Sequence, residues 1–299
     1  MSFRGIIVLA ALLLISGCGL YSAEHTLDVE WEVPETLERL HIHLGRGPVA
    51  VVGSVDDRIT GTAVILAKGY RTEEEAEERA ESVRLVADLD GETGTLHVDM
   101  PAEAGFDSVV VSLELHIPRR LIVDISGADD QVSVVNTGVG LVSGVNARVD
   151  LVGTHGDGEI ATSNAPVALR NHEGDLTVGT TNGSIRMRDV RGSLLAQTTH
   201  APIDVTVFPE SDGEILLQTV GHDVTLGIPM SFGADFVGEA RVGRVSIGSL
   251  AIRRTLDEPD RVQGVIGDGE GRIRIFTRNG NIAVNGVDFN DDLEADGED

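Results

Sequence analysis

Three arginines recur at spacings that gather them on one surface. Arg170 and Arg188 lie eighteen residues apart, as do Arg186 and Asp204, inside a stretch whose apolar residues keep the same period. A guanidinium group is planar, permanently charged and able to grip a carboxylate or phosphate through two parallel hydrogen bonds. Arg170, Arg186 and Arg188 are therefore a candidate anion-binding patch. Glu173, Asp189 and Asp204 are the competing partners, and neutralisation by them would make ordinary surface ion pairs. Cleaving a glycoside needs two carboxyl groups flanking the bond. Only His200, Asp204, His222 and Asp223 are placed to try, and an insertion at residues 208–213 puts the two pairs out of step. They are read as polar side chains scattered over the surface, and no catalytic residue is assigned.

Other polar constellations point to structure. Thr162, Thr180 and Thr198, with Asn164, Asn182 and His200, occupy equivalent places in successive repeats. Such stacks are assigned to turn stabilisation, because Asn tolerates left-handed backbone and bonds locally. His41 and His43 share one face of a strand-like run, but no accompanying Cys or carboxylate has metal-ligand spacing. They are read as a solvated strand face, and no metal is expected. The units Glu173–Leu176, Arg191–Leu194 and Asp212–Ile215 lack the aspartate ladder of calcium-binding nonapeptides. At the C-terminus Asp288, Asn290 and Asp292 open like a calcium loop, yet Leu293 stands where glycine is needed. Residues 288–299 are expected to be an acidic disordered tail, and no cofactor is expected.

Residues 1–17 have the anatomy of a leader peptide. Arg4 supplies a positive start, and residues 6–15 form an apolar run too short to span a bilayer as a helix. The run ends in Ile15-Ser16-Gly17-Cys18, which resembles the bacterial lipobox, so Cys18 is the expected lipidation site. It is the only cysteine, which excludes an intrachain disulfide. Several acyl chains on one residue suffice for stable anchoring. Gly19, where an acidic residue would favour inner-membrane retention, points to the outer membrane if the envelope is Gram-negative. Residues 18–39 are expected to be a tether.

Composition narrows the partners. A formal net charge of -26 repels nucleic acid, and none is expected to bind. Aromatic residues are 3% of the chain, so the stacking platforms of sugar- or base-binding grooves are scarce.

What must position these residues is a repeat. Between residues 162 and 226 apolar pairs return every nine residues, at Val167/Leu169, Leu176/Val178, Ile185/Met187, Leu194/Ala196 and Ile203/Val205. After a three-residue insertion they continue at Ile215/Leu217 and Val224/Leu226. Each pair reads as a short strand with one inward face, separated by Gly, Asn, Asp, Ser and Pro turns. Thr-x-Asn/His units alternate with glycine-led ones, so one eighteen-residue coil carries two strands. The expected fold is all-β, a right-handed parallel β-helix over 109–287. It is preceded by a β-rich lead-in over 40–108, and the register is not traceable between Pro229 and Glu270. One short helix is expected at 72–84, started by a capping box of Thr72 and Glu75, with Ala76, Ala80 and Val83 as its apolar stripe.

The order of glycine-punctuated strands (residues 47–65), short helix (72–83), hairpin, the strand ending Ile117-Pro118 and then TTNGSI (180–185) and TRNGNI (277–282) resembles the putative-adhesin family of bacterial β-solenoid envelope proteins, related to the auto-transporter adhesin head group. The resemblance spans about residues 40–287. It implies a right-handed β-helix and a role at the cell surface, and it carries no catalytic residues. The expected function is a non-enzymatic, lipid-anchored envelope scaffold or binding module. Its partners would be the membrane, through the lipid, and an envelope polysaccharide or surface protein. A carbohydrate-active enzyme on a β-helix is the alternative.

Overall fold

The computed structural model describes residues 20–100 and 109–288. Among these the chain is all-β, with 25 strands and a single helix, and it divides into two compact units, Met1–Gly156 and Asp157–Asp299. Strand pairing is mixed rather than purely parallel. Cys18 and residues 289–299 lie outside the described residues.

The first unit contains β1 (Tyr21–Glu32), β2 (Arg39–His43), β3 (Val49–Ser54), β4 (Arg58–Tyr70), α1 (Glu73–Ser82), β5 (Arg84–Asp88), β6 (Thr93–Asp99), β7 (Val109–Pro118), β8 (Ile122–Ser126), β9 (Gln131–Val135), β10 (Gly138–Gly144) and β11 (Arg148–His155). Most of the expected tether is thus a strand: β1 pairs antiparallel with β4 along its whole length. The reason is an alternation of Ala23, Leu27, Val29 and Trp31 against Glu24, Asp28, Glu30 and Glu32, one face half-buried and the other charged. β4 pairs antiparallel with β7, and β5 with β6.

Nor is the lead-in separate from the parallel strands. β2 lies between β6 and β8, parallel to both, and β3 lies between β7 and β9, again parallel to both. Leu40 and Ile42 therefore stack on Val123 and Ile125, and Val49 and Val51 on Val132 and Val134, all buried. The strand pair of residues 39–54 is thus held between two strand pairs that come later in the chain. β10 continues from β8, and β11 from β9.

Helix α1 forms where its capping box stands. Thr72 is the N-cap and its hydroxyl accepts from the Glu75 amide at 3.2 Å, while the Glu75 carboxylate accepts from the Arg71 amide at 3.2 Å. Glu73, Glu74 and Glu75 meet the positive end of the helix dipole. Ala76, Ala80 and Val83 are buried.

In the second unit, β12 (Gly158–Thr162), β14 (Leu176–Gly179), β16 (Leu194–Gln197) and β18 (Glu214–Thr219) form one parallel ladder. β13 (Val167–Glu173), β15 (Ile185–Arg191), β17 (Ile203–Val207) and β19 (Val224–Pro229) form another. The register is that of the repeat, with Val167 beside Ile185, Ile185 beside Ile203 and Ile203 beside Val224. All fourteen apolar positions of the repeat are at most 2% exposed. Asn171 and Asp189, eighteen residues apart, have φ of 55° and 58°. These left-handed residues, a conformation Asn and Asp accept more readily than others, break each strand so that His172 and Val190 again face the interior. Asp189, expected as an ion-pair partner, thus serves as a corner.

The untraceable stretch has a topological explanation. After β19 the chain makes β20 (Ala234–Val242), β21 (Val245–Ile247), β22 (Ile252–Glu258), β23 (Arg261–Ile266), β24 (Gly271–Asn279) and β25 (Ile282–Val287). β24 lies parallel between β18 and β20, and β25 lies between β19 and β21. The strand pair that follows 214–229 in space is therefore 271–287, inserted ahead of 234–247. β23 pairs antiparallel with β20, and β22 with β23. Ile252–Glu258 is mostly exposed and rich in charge, as edge strands that resist further pairing tend to be.

Candidate functional site

The second unit brings Arg170, Arg186 and Arg188 onto one exposed face, with Arg170 beside Arg188 and Arg186 between Ala168 and Asp204. Neighbouring strands are about 4.8 Å apart, so the guanidinium groups crowd one another unless paired. Arg188 reaches diagonally across the ladder to Asp204, Nη2 donating to Oδ2 at 2.7 Å and Nη1 to Oδ1 at 3.3 Å. Nη1 also donates to the Asp204 carbonyl at 3.2 Å. The Arg186 side chain makes no hydrogen bond or ion pair among the described residues. The competing ion pair anticipated at Asp204 is therefore formed by one arginine of the three, and Arg186 remains the cation most open to a ligand.

The threonine and asparagine stacks hold one coil to the next. The Thr180 hydroxyl accepts from the Gly183 amide at 3.1 Å and donates to the Ser163 carbonyl, and Thr198 donates to the Gly183 carbonyl at 3.0 Å. Asn182 donates to Asn164 at 2.8 Å, and the Asn182 amide oxygen lies 3.0 Å from His200 Nδ1. Two further members escaped the repeat count. Thr219 donates to the Ala201 carbonyl at 3.0 Å and Thr277 to the His222 carbonyl at 2.9 Å. Thr219 is hidden behind the three-residue insertion, and Thr277 opens the TRNGNI motif of the inserted coil. Thr162, Thr180, Thr198, Thr219 and Thr277 are all buried.

A carboxylate stack was also missed. Asp157 accepts from the Asp175 amide at 3.0 Å, and Asp175 from the Ser193 amide at 2.7 Å. Their spacing of eighteen was the available signal. On another turn Asp223 accepts from the Asn281 amide at 2.6 Å, and Asn281 accepts from the Arg244 amide at 3.1 Å. The four residues weighed for hydrolysis are accordingly dispersed. His200 belongs to the asparagine stack, Asp204 to Arg188, Asp223 to Asn281, and His222 lends its carbonyl to Thr277.

In the first unit the face bearing His41 and His43 has a partner strand that sequence alone did not supply. His41 stands beside Asp124, and His43 between Ser126 and His97. Asp124 is 6% exposed and gathers four contacts. Arg39 Nη1 donates to both its oxygens at 2.8 and 3.0 Å, the Leu141 amide donates at 2.7 Å, and His41 Nδ1 lies 3.3 Å away. A bulge at Gly140 aims that amide, and a Cβ there would come within 2.3 Å of both Arg39 and Asp124. A buried carboxylate needs this many partners. His43 Nδ1 lies 3.0 Å from the Ser126 hydroxyl, and His43 and His97 are exposed. Among the described residues no group of three His, Cys, Asp or Glu side chains is placed to hold a metal ion. The exposed Arg148 guanidinium is held above its ordinary value by its hydrogen bond to Asp150, whose carboxylate also accepts from Gln131.

These features define an all-β protein of mixed strand pairing, in which polar side chains on the turns of the second unit bond one strand segment to the next. No protein-family model matches the sequence, and no curated protein matches it. Among solved structures the chain is similar to "a putative cell adhesion protein" from Clostridium sporogenes, at 11% identity and a TM-score of 0.29, covering 89% of this chain and 100% of that one. It is also similar to "a putative adhesin" from Bacteroides fragilis, at 10% identity and a TM-score of 0.28, covering 88% and 97%. A third, a "putative lipid binding protein" from Parabacteroides distasonis, has 10% identity and a TM-score of 0.24, covering 88% and 97%. Likeness at this level defines neither fold nor function.

Proposed function

We propose that this chain is a right-handed parallel β-helix, anchored in the bacterial cell envelope by an acylated Cys18, which binds a partner and does not cleave it. The observation that carries this reading is the use made of the polar repeat. Thr, Asn and Asp side chains on the turns are consumed in bonding successive coils, which leaves the outward ranks of the strands as the surface free to vary. Extended sheet faces of this kind serve solenoid proteins as contact surfaces.

Anchoring is tested by Cys18→Ser, which should move the protein from the membrane fraction to the soluble one, because one lipidated residue is the only anchor in this reading. Retention of a leader-cleaved Ser variant on washed membranes would overturn it.

The partner is an acidic envelope polysaccharide or a surface protein with an acidic face, met at Arg170, Arg186 and Arg188. Against a chain of net charge -26, such a partner needs a local cation, and an arginine fork supplies both charge and geometry. Titrating leaderless protein with uronic-acid oligomers should give saturable binding that Arg186→Glu weakens about tenfold, the loss of one charge-assisted bond plus new repulsion. Equal binding by the wild type and Arg186→Glu would retire the patch.

A further inference from the structure

The strand that replaces the expected tether changes what an anchor at Cys18 would do. Only Gly19 and Leu20 separate Cys18 from Tyr21, the first residue of β1. Three residue steps span at most about 11 Å, so an acylated Cys18 holds the start of β1 at the headgroup layer. The side chains found there differ from the rest of the molecule. Tyr21 is the register partner of Tyr70 at the far end of β4, and these are the only two tyrosines in the sequence. Lys68, the only lysine, pairs in register with Ser22, and Arg71 follows Tyr70. Leu20 is 54% exposed and Tyr21 41%. A chain poor in aromatics and almost without lysine has thus gathered one exposed leucine, both tyrosines, its lysine and an arginine at one end of one ribbon.

That combination suits a lipid–water interface. Tyrosine places an apolar ring among acyl chains and its hydroxyl among headgroups, while lysine and arginine lay their stems along the apolar layer and meet phosphate with their charges. The surface must be zwitterionic rather than anionic. Glu73, Glu74 and Glu75 open α1 immediately beyond Arg71, within the roughly 8 Å over which charges act at physiological salt.

We infer that the end of the β1–β4 ribbon formed by Leu20, Tyr21, Lys68, Tyr70 and Arg71 docks on a zwitterionic bilayer surface, so that the first unit is seated on the membrane rather than suspended from it. This rests on the acylated Cys18 of the preceding reading. The two can be separated, because acylation leaves Cys18 without a free thiol and an introduced cysteine is then the sole labelling site. Full-length acylated protein carrying Ser22→Cys, beside Lys68, or Val55→Cys is labelled with a polarity-sensitive fluorophore and reconstituted in phosphatidylcholine vesicles containing headgroup-spin-labelled lipid. Val55 is 82% exposed and precedes the opposite end of β4, about 40 Å away along a strand of thirteen residues.

Docking requires quenching severalfold stronger at position 22 than at 55. Adding Leu20→Glu and Tyr21→Glu to Ser22→Cys should abolish the difference while the protein stays with the vesicles and keeps its far-ultraviolet spectrum. Water-like emission at both positions in vesicle-bound protein would overturn docking and leave the anchor standing. Protein recovered from cells in the soluble fraction with its leader removed would overturn the anchor, and docking with it.

Discussion

Ending the chain at Glu270 is expected to abolish the folded state of the second unit's C-terminal half. The segment lost is not peripheral. β24 separates β18 from β20, and β25 separates β19 from β21, so their removal strips partners from four strands at once. Ile273, Ile275, Ile282 and Val284 are fully buried, and burial of each such side chain stabilises by about 1.5–3 kcal/mol. Their loss alone approaches the 5–15 kcal/mol by which whole domains are stable. Thr277, Asn281 and the bond to Asp223 are lost as well. Terminal truncations are ordinarily the best tolerated, which makes this an exacting test. The measurement is limited proteolysis with thermal melting. A 1–270 protein that melts cooperatively within a few degrees of the full chain would show that residues 271–287 do not lie between the coils flanking them.

Excising residues 180–197 from the interior should be far milder, although it removes β15 and β16 entirely. Those strands are one period of the repeat, so the cut brings Val167 onto Ile203 and Leu176 onto Ile215, each pair apolar and in register. Thr198 inherits the place of Thr180, and His200 that of Asn182. One stack resists. Ala165 and Ala201 are buried on either side of Gly183, where a Cβ would stand 1.8 Å from the Ala165 carbonyl. The excision sets Ala201 in that position, an overpacking worth about 1–3 kcal/mol, and adding Ala201→Gly should recover it.

Removing residues 180–188 alone should be much worse than either, because every downstream strand then changes ladder and unlike turns stack. Denaturant titrations rank the three proteins. A nine-residue deletion more stable than the eighteen-residue one would sink the two-strand coil.

How much of this was legible follows from the kind of signal each element leaves. The fourteen repeat positions and α1 were readable because period and capping are local properties of the chain. β1 was not read, although Tyr21, Ala23, Leu27, Val29 and Trp31 alternate with polar residues. His25 interrupts the apolar face, and the pairing that completes the strand comes from residues 58–70. The inserted coils were unreadable for a deeper reason. Inward positions are uniformly aliphatic, so Ile215 would pack as readily beside Phe236 as beside Ile273, and only register across the whole fold decides. Neighbours in sequence are usually neighbours in space, and here that habit misleads twice. At the candidate site, the spacing of Arg170, Arg186 and Arg188 put them on one face, but the diagonal capture of Arg188 by Asp204 depends on side-chain reach. Asp124 was passed over because its partners, Arg39 and the Leu141 amide, lie 85 and 17 residues away.

Each unit places one pair of strands out of chain order, and this bears on synthesis. A solenoid stacked strictly in sequence can lengthen coil by coil as it emerges from a ribosome or a translocation pore, each turn settling on the one before. Here the turn at 39–54 is flanked on both sides by strands not yet made when it appears, and the turn at 234–247 has its seat occupied only when Val287 arrives. Within each unit, therefore, the earlier strands of the out-of-order pair wait for partners that are made only after them.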